Sequence, residues 1–263
     1  MGTAILVMAL GMNNSIMYMV EFQFKKVLLG DYTISFRDTV DGGALQEIRQ
    51  IPGVSLSEPQ LDVACHFING NHRKKGVITG LVRNARLTVP CGIDGKAVKL
   101  PETGLLMSRR LAEELHLCIG DLVTIIPVKG LREPKHLTIS GLVDSSFGIA
   151  VYADYEYLNS LVGEIDSITA LQIKARLNQE QWQNLAGEAK RWPKLSSLES
   201  MAAQQEQINK EMVKSLQGMC WVMVLFAGVI FFGSILNSAL ISLAEKKREI
   251  ATFRVLGYHP MEV

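Results

Sequence analysis

Long uncharged runs lie at both ends of the chain, on either side of a region of mixed polarity. Residues 1–20 and residues 215–244 carry no charged side chain. A helix over the second run would be about 45 Å long at 1.5 Å per residue, which exceeds the roughly 30 Å hydrocarbon core of a bilayer. This run is rich in Val, Leu, Ile and Phe, each of which favours insertion by about 0.3 to 0.6 kcal/mol near the centre of a bilayer. The pattern therefore predicts a second transmembrane helix over 216–244, rather than a buried helix of a soluble core.

The amino-terminal run, residues 1–20, gives a weaker signal because Asn13 and Asn14 interrupt it. A signal peptide is the alternative interpretation, but no basic residue precedes the apolar stretch and no small-residue cleavage site precedes an obvious mature start. We therefore predict a first transmembrane helix truncated at its cytoplasmic end. We expect the chain to be a fragment, or to start at an internal methionine.

Basic residues orient the predicted second span. Four of them follow it and two precede it: Lys246, Lys247, Arg248 and Arg254 after it, and Lys210 and Lys214 before it. By the positive-inside rule the carboxyl-terminal end is cytoplasmic. The region over 21–195 is then predicted to be an extracytoplasmic domain.

Short runs of two different periodicities alternate along this middle region. Alternating or β-branched runs predict strands over 30–36, 61–68, 76–82, 104–108, 121–128, 136–144 and 167–175. Amphipathic runs predict helices over 43–54, 109–117 and 178–192, and residues 151–161 pass from a strand into a helix. The polar residues 68–75 are expected to form the turn between two of the strands. The sum is an α+β domain, which we expect to have two lobes.

A further helix is predicted between this domain and the second span. Ser196 and Glu199 have the spacing of a capping box. The apolar residues of this segment recur at helical intervals, namely Leu198, Met201, Ile208, Met212 and Leu216. We expect a stalk helix over 196–215 that continues into the span and carries motion across the membrane as a lever. Packing of this helix on its own domain is the other interpretation, and the two are compatible.

Composition and motifs argue against several classes of function. The net charge is +1 and no basic stripe is interleaved with aromatic residues, so nucleic-acid binding is not expected. The sequence contains no P-loop, GxSxG or HExxH motif, so we expect no ATP site, no enzyme activity and no cofactor in this chain. Its five histidines lack the spacing of metal ligands. Cys65, Cys91 and Cys118 are expected to be small buried side chains rather than disulfide partners.

The last residues, 235–263, resemble the end of the second membrane helix and the following cytoplasmic segment of the FtsX-like permeases, a family that includes MacB and the lipoprotein-releasing permeases. The family pattern is an Asn in the helix, then Glu-Arg-x-Arg-Glu-Ile, and two or three residues later Arg-x-Leu-Gly. It falls on Asn237, Glu245, Arg248, Glu249, Ile250, Arg254, Leu256 and Gly257. Lys246 stands where Arg is usual, which keeps the charge and loses the planar fork. Residues 51–54, 104–123 and 140–144 also resemble the family's extracytoplasmic core in their order.

This resemblance implies a MacB-like periplasmic core domain in a multi-pass protein of the bacterial cytoplasmic (inner) membrane. It implies four membrane helices, of which this chain holds the first two, and a dimer-like pairing with a second permease copy or second half. It also implies a cytoplasmic ABC ATPase as partner, which would bind the ATP and Mg²⁺ that this chain does not. The residues over 245–263 would then be the coupling segment that contacts the ATPase.

The residues of the tail also allow a physical interpretation without the family. Ile250, Phe253 and Leu256 are spaced by three, which predicts a short amphipathic helix at the cytoplasmic surface. Such a helix can dock in a groove of a partner or lie on anionic membrane lipid, and the resemblance favours docking. In the span itself, we interpret Ser234, Asn237 and Ser238 as helix-packing residues rather than as the lining of a transport path.

The hypothesis is a permease subunit that couples ATP hydrolysis by a partner ATPase to extracytoplasmic movement, a process called mechanotransmission. The cargo would be a lipid, lipoprotein, peptide or drug. Two alternatives stay open at this point. One is an FtsX-style regulator of a cell-wall hydrolase, and the other is a membrane-anchored sensor module without transport.

Overall fold

The computed structural model describes residues 18, 20–92, 95–128, 133–145, 149–177, 181–182, 185, 187 and 194–255. They divide into two compact units. The first, Tyr18–Ile208, is called the sheet domain here. The second is described over residues 209–255, which are helical throughout. Nearly all of the predicted first span, residues 1–20, lies outside the described residues.

The described elements follow one another in a mostly β order. The strands are β1 Tyr32–Val40, β2 Val54–Asn69, β3 His72–Leu81, β4 Leu105–Ser108, β5 Leu122–Pro127, β6 Lys135–Val143, β7 Val151–Asp154, β8 Ile168–Ala175 and β9 Leu195–Ser200. The helices are α1 Gly43–Arg49, α2 Arg109–Leu115, α3 Tyr155–Val162 and α4 Met201–Val255, and a π-helical turn precedes β1 at Gln23–Val27. The predicted α+β character of the domain is therefore confirmed.

The nine described strands form one sheet in the order β3-β7-β4-β6-β5-β2-β8-β1-β9. Because β2 also pairs with β3, the strands β3, β7, β4, β6, β5 and β2 close into a ring. Most pairs are antiparallel, whereas β3–β7 and β4–β6 are parallel. The remaining strands β8, β1 and β9 extend from β2 as an open sheet. A division into two lobes stays a prediction.

One hydrophobic core lies inside this arrangement, because alternate residues of the strands point to a common side. Five fully buried residues come from five strands of the ring: Phe67, Ile78, Leu105, Ile125 and Ile139. Helices α2 and α3 add Leu111, Leu115 and Leu158 to the same cluster. Strands β1 and β8 join it through Ile34, Leu171 and Ile173. The ring and the open sheet therefore share a core.

Two predicted boundaries in the sheet domain are wrong. The turn predicted over 68–75 is much shorter, since β3 begins at His72 and pairs it with Asn69. Gly70 has a φ of 55°, and a glycine at this position suits a two-residue hairpin loop. The charged residues after the turn stay in the strand because they are exposed there. Helix α1 ends at Arg49, so the helix predicted over 43–54 is too long.

The predicted capping box is also wrong. Ser196 and Glu199 lie in strand β9, where Ser197 pairs with Ser35 and Glu199 pairs with Thr33 of β1. The open edge of β1 offers backbone hydrogen-bond partners, which outweigh the local helix signal. The helix begins five residues later than predicted, at Met201, whose backbone N–H donates to the Asp31 carbonyl at 2.9 Å. The helix predicted over 178–192 lies mostly outside the described residues.

Candidate functional site

Helix α4 contains the most apolar segment of the described chain. Its residues Gln217–Lys247 have a mean hydropathy of 2.4 in their most apolar window, and none of that window is buried. Large side chains such as Trp221, Phe231 and Phe232 are 66 to 69% exposed. A helix of 31 residues is about 46 Å long. The segment is thus a single helix that is long enough and apolar enough to cross a membrane. Its bounds are close to the predicted 216–244.

The three residues predicted to pack against another helix lie within this segment. Ser234, Asn237 and Ser238 are all exposed in the described structure. Hydroxyl and amide groups at membrane depth are stabilised by hydrogen bonds to a neighbouring helix. Their role in helix packing stays a prediction.

The predicted coupling segment continues the same helix. Glu245 is exposed, and the backbone of Arg248, Glu249, Ile250 and Arg254 is helical up to Val255. Residues 245–255 are thus helical and continuous with the predicted span, whereas the docking role of their apolar edge stays a prediction. No Gly or Pro lies between Gly233 and Gly257 to end the helix. Leu256 and Gly257 lie outside the described residues.

A first cleft in the sheet domain lies beside the start of α4. It has a volume of about 970 Å³ and is lined by residues from β1, β8, the π-helical turn and the first turn of α4. Two of its charged side chains already bond to the backbone. Asp31 accepts from the Ala175 N–H at 3.1 Å, and Lys174 Nζ donates to the Leu29 carbonyl at 3.4 Å. These bonds tie β8 to the segment before β1.

A row of polar side chains crosses four neighbouring strands of the sheet. Thr33 Oγ1 on β1 donates to Gln172 Oε1 on β8 at 3.0 Å, and Gln172 Nε2 donates to Gln60 Oε1 on β2 at 3.4 Å. Gln60 Nε2 then donates to both carboxylate oxygens of Asp62 at 3.0 Å. Thr79 Oγ1 on β3 donates to Asp62 Oδ1 at 2.8 Å. Burial raises the pKa of the Asp62 carboxyl above its ordinary 3.8, and the bonds from Gln60 and Thr79 oppose that rise.

The sequence interpretation did not single out this row. Its signal is the alternation of Glu58, Gln60 and Asp62 with Pro59 and Leu61, which gives β2 one polar and one apolar face. Pairing to β8 and β3 brings the other members to this face, and those partners come from distant parts of the chain.

The cysteines differ from the prediction at one position. Cys65 and Cys91 are buried, as expected, whereas Cys118 is exposed. Cys118 lies in the loop between α2 and β5, where its backbone N–H donates to Asp121 Oδ2 at 2.7 Å. Burial raises the pKa of the Cys65 thiol to about 12. In the described part of the chain, no three His, Cys, Asp or Glu side chains group closely enough to hold a metal ion.

Comparisons with known proteins concern the sheet domain. Searches of protein-family models and of curated proteins gave no match to this chain. Several solved structures are similar to it. One is the periplasmic region of MacB from Actinobacillus actinomycetemcomitans, with a TM-score of 0.46 and 11% identity over 70% of this chain and 95% of that one.

Two further similar structures come from other bacteria. The extracellular domain of the noncanonic ABC-type transporter YknZ from Gram-positive bacteria has a TM-score of 0.41 and 11% identity, over 58% of this chain and 87% of that one. A domain described as part of a permease protein from Porphyromonas gingivalis has a TM-score of 0.36 and 18% identity, over 62% and 84%.

Proposed function

We propose that this chain is a permease-type subunit of an ATP-driven transporter in the cytoplasmic membrane of a bacterium. In this proposal the Gln217–Lys247 segment crosses the membrane and the sheet domain lies on the extracytoplasmic side. The observation that carries it is the apolar segment of α4, whose most apolar window contains no buried residue. A water-soluble protein would have to cover such a surface. The basic residues at the end of this segment and just after it, Lys246, Lys247, Arg248 and Arg254, favour a cytoplasmic location for its carboxyl-terminal end.

The coupling role rests on the continuity of α4. The same helix contains Met201, which is bonded to Asp31 of the sheet domain, and the backbone of Glu249 and Arg254 in the motif. A helix transmits an axial displacement along its hydrogen-bonded backbone. We therefore propose that movement of the motif by a partner ATPase reaches the extracytoplasmic side through α4. ATP and Mg²⁺ would be bound by the ATPase, and a second permease copy would complete the transporter.

The decisive experiment measures ATP turnover in a purified complex. The chain carrying an affinity tag is expressed in its native host, and the ATPase that co-purifies with it is assayed in lipid nanodiscs. Glu249→Ala and Arg254→Ala should each lower the turnover several-fold, because both remove charges from the contact with the ATPase. Glu199→Ala is the matched control, since Glu199 is an exposed acid on β9.

Each other outcome has a defined meaning. Unchanged turnover in both motif variants would contradict the coupling role. If no ATPase co-purifies, the chain would instead be a membrane-anchored sensor, and a cell-wall hydrolase among the co-purified proteins would favour the regulator. We assign no catalytic step to this chain.

A further inference from the structure

Strand β2 has a gap in its pairing on the side that faces β8 and β5. Strand β8 pairs with it up to Gln60, and β5 pairs with it from Cys65 onwards. Thr169 Oγ1 fills part of the gap, since it accepts from the Asp62 N–H at 2.6 Å and donates to the Gln60 carbonyl at 3.2 Å. β1 also leaves its regular register with β8 between Ser35 and Val40. A cleft opens between these irregular stretches.

This cleft has a volume of about 410 Å³, which is within the range of small-molecule sites. Its lining is mostly apolar, with Phe36, Leu61, Val63, Ala64, Val128 and Val162. Asp62 is the lining residue that also belongs to the polar row. The cleft thus combines apolar side chains with one half-buried acid.

Asp62 lacks a cationic partner. Over the described residues, its carboxylate accepts three hydrogen bonds, all from neutral donors: two from the Gln60 amide and one from the Thr79 hydroxyl. Over the described residues, no Lys, Arg or His nitrogen lies within 4.0 Å of its carboxylate. Buried charges in proteins are normally paired with an opposite charge. An anionic Asp62 therefore offers an incoming cation an interaction that the described chain does not supply.

A second acid in the cleft also favours a cationic ligand. Glu164 also lines the cleft, and its Oε2 atom is buried without a hydrogen-bond partner among the described atoms. A buried acceptor without a donor costs free energy that a ligand's N–H group can recover. Asp38 and Arg37 complete the charged lining, and both are exposed. Among the acids of the lining, Asp62 and Glu164 thus offer carboxylate acceptors to a cationic ligand.

We propose that this cleft binds a primary ammonium group carried on a small apolar body. The ammonium donates a charge-assisted hydrogen bond to Asp62, and the hydrocarbon part contacts the apolar wall. A metal ion is a poorer fit, because the described residues offer no group of three metal ligands here. This inference concerns the sheet domain alone and does not depend on the proposed transport function.

The test compares two ligands that share one apolar body. The full chain in lipid nanodiscs is titrated with 2-phenylethylammonium and with 2-phenylethanol at pH 7 by calorimetry, and the heats from empty nanodiscs are subtracted. The ammonium should bind at least about ten-fold more tightly than the alcohol, because hydrogen bonds between ions are stronger than neutral ones. Equal affinities, or no ammonium binding at millimolar concentration, would overturn the proposal.

Three variants locate the site. Asp62→Asn should weaken ammonium binding by about ten-fold or more and leave alcohol binding unchanged. Arg37→Gln should tighten ammonium binding, because it removes a like charge from the lining. Glu199→Gln, the same kind of acid-to-amide change on exposed β9, should have no effect.

Circular dichroism shows whether each variant folds. If Asp62→Asn folds and binds the ammonium as the wild type does, the proposal is wrong. If that variant does not fold, the Arg37→Gln variant decides, and an unchanged or weaker ammonium affinity there would overturn the proposal.

Discussion

Burial affects two ionisable side chains that lie three residues apart on β2. It raises the pKa of the Cys65 thiol to about 12, so this thiol is neutral and unreactive at physiological pH. It also raises the pKa of the Asp62 carboxyl. Because the carboxyl holds its proton more tightly in the folded chain than in the unfolded chain, its protonation is linked to folding.

The sign of this linkage gives a prediction. Between the ordinary value of 3.8 and the higher pKa in the fold, the folded state binds more protons than the unfolded state. The contribution of Asp62 to stability is therefore fully present below 3.8 and is lost as the pH rises through the folded pKa. The stability of the wild type relative to Asp62→Asn should increase as the pH falls from about 7 to about 4.

Thermal unfolding of both proteins across this pH range measures the difference. The variant keeps the shape of the side chain and removes its titration, so acids elsewhere affect both proteins alike. A melting-temperature difference that stays constant with pH, or that moves in favour of the variant as the pH falls, would contradict the prediction.

At the residue scale, the sequence predicts which side chains are apolar and in part which are buried. The burial of Cys65 follows from its place in an alternating strand. The exposure of Cys118 does not follow from local sequence, because it depends on where the loop after α2 leaves the core. The neighbours of Asp62 could not be predicted either, since Thr79 and Thr169 come from other strands.

At the scale of elements, pairing outweighs local preference at the end of the sheet domain. Residues 195–200 carry a helix-start signal in the sequence, yet they form β9 along β1, which lies more than 150 residues earlier. A capping box describes only the local backbone, so it cannot report a distant open edge. The strands predicted from alternation, such as 121–128 and 136–144, are present in the structure because their local pattern and their pairing agree.

Gly104 shows how tightly two strands approach each other. It precedes β4, has a φ of 86°, and a Cβ placed on it would meet Ser140 Oγ and lie 2.7 Å from the Thr138 carbonyl oxygen of β6. Gly70 has a φ of 55° and open space around its Cβ position. A side chain at Gly70 would therefore meet backbone strain alone, whereas a side chain at Gly104 would meet both backbone strain and steric overlap.

Alanine substitutions at both glycines test this difference. Gly70→Ala should cost about 1 kcal/mol of unfolding free energy, because only the left-handed backbone is penalised. Gly104→Ala should cost about 1 to 3 kcal/mol more, because β6 must also move. Urea unfolding followed by circular dichroism measures both costs, and equal costs would contradict the close approach of β4 and β6.

At the scale of the whole molecule, the ring of six strands could not be predicted from the sequence. It depends on two parallel pairs, β3–β7 and β4–β6, and on β2 pairing with three other strands. Alternation shows that a segment is a strand but does not identify its neighbour. The apolar helix, in contrast, follows directly from composition, because its length and its lack of charge are local properties.

The proposed topology predicts which cysteines a membrane-impermeant maleimide can label. Cys118 is exposed, Cys65 and Cys91 are buried, and Cys220 lies within the proposed span. In right-side-out spheroplasts the reagent should therefore label the wild-type protein but not the Cys118→Ser variant. In the Cys118→Ser background, Lys247→Cys should be labelled only after lysis, because this position lies at the cytoplasmic end of the proposed span. Labelling of Lys247→Cys in intact spheroplasts would contradict the orientation.

The contact between Asp31 and Met201 has a consequence for how such a domain fits into a longer chain. The Met201 N–H and the Asp31 carbonyl are 2.9 Å apart, so the polypeptide reaches and departs from the sheet at neighbouring points. A module whose two ends meet in this way can be inserted into a host sequence without forcing the flanking segments apart. The roughly 170 residues between those points therefore have the geometry of an inserted module.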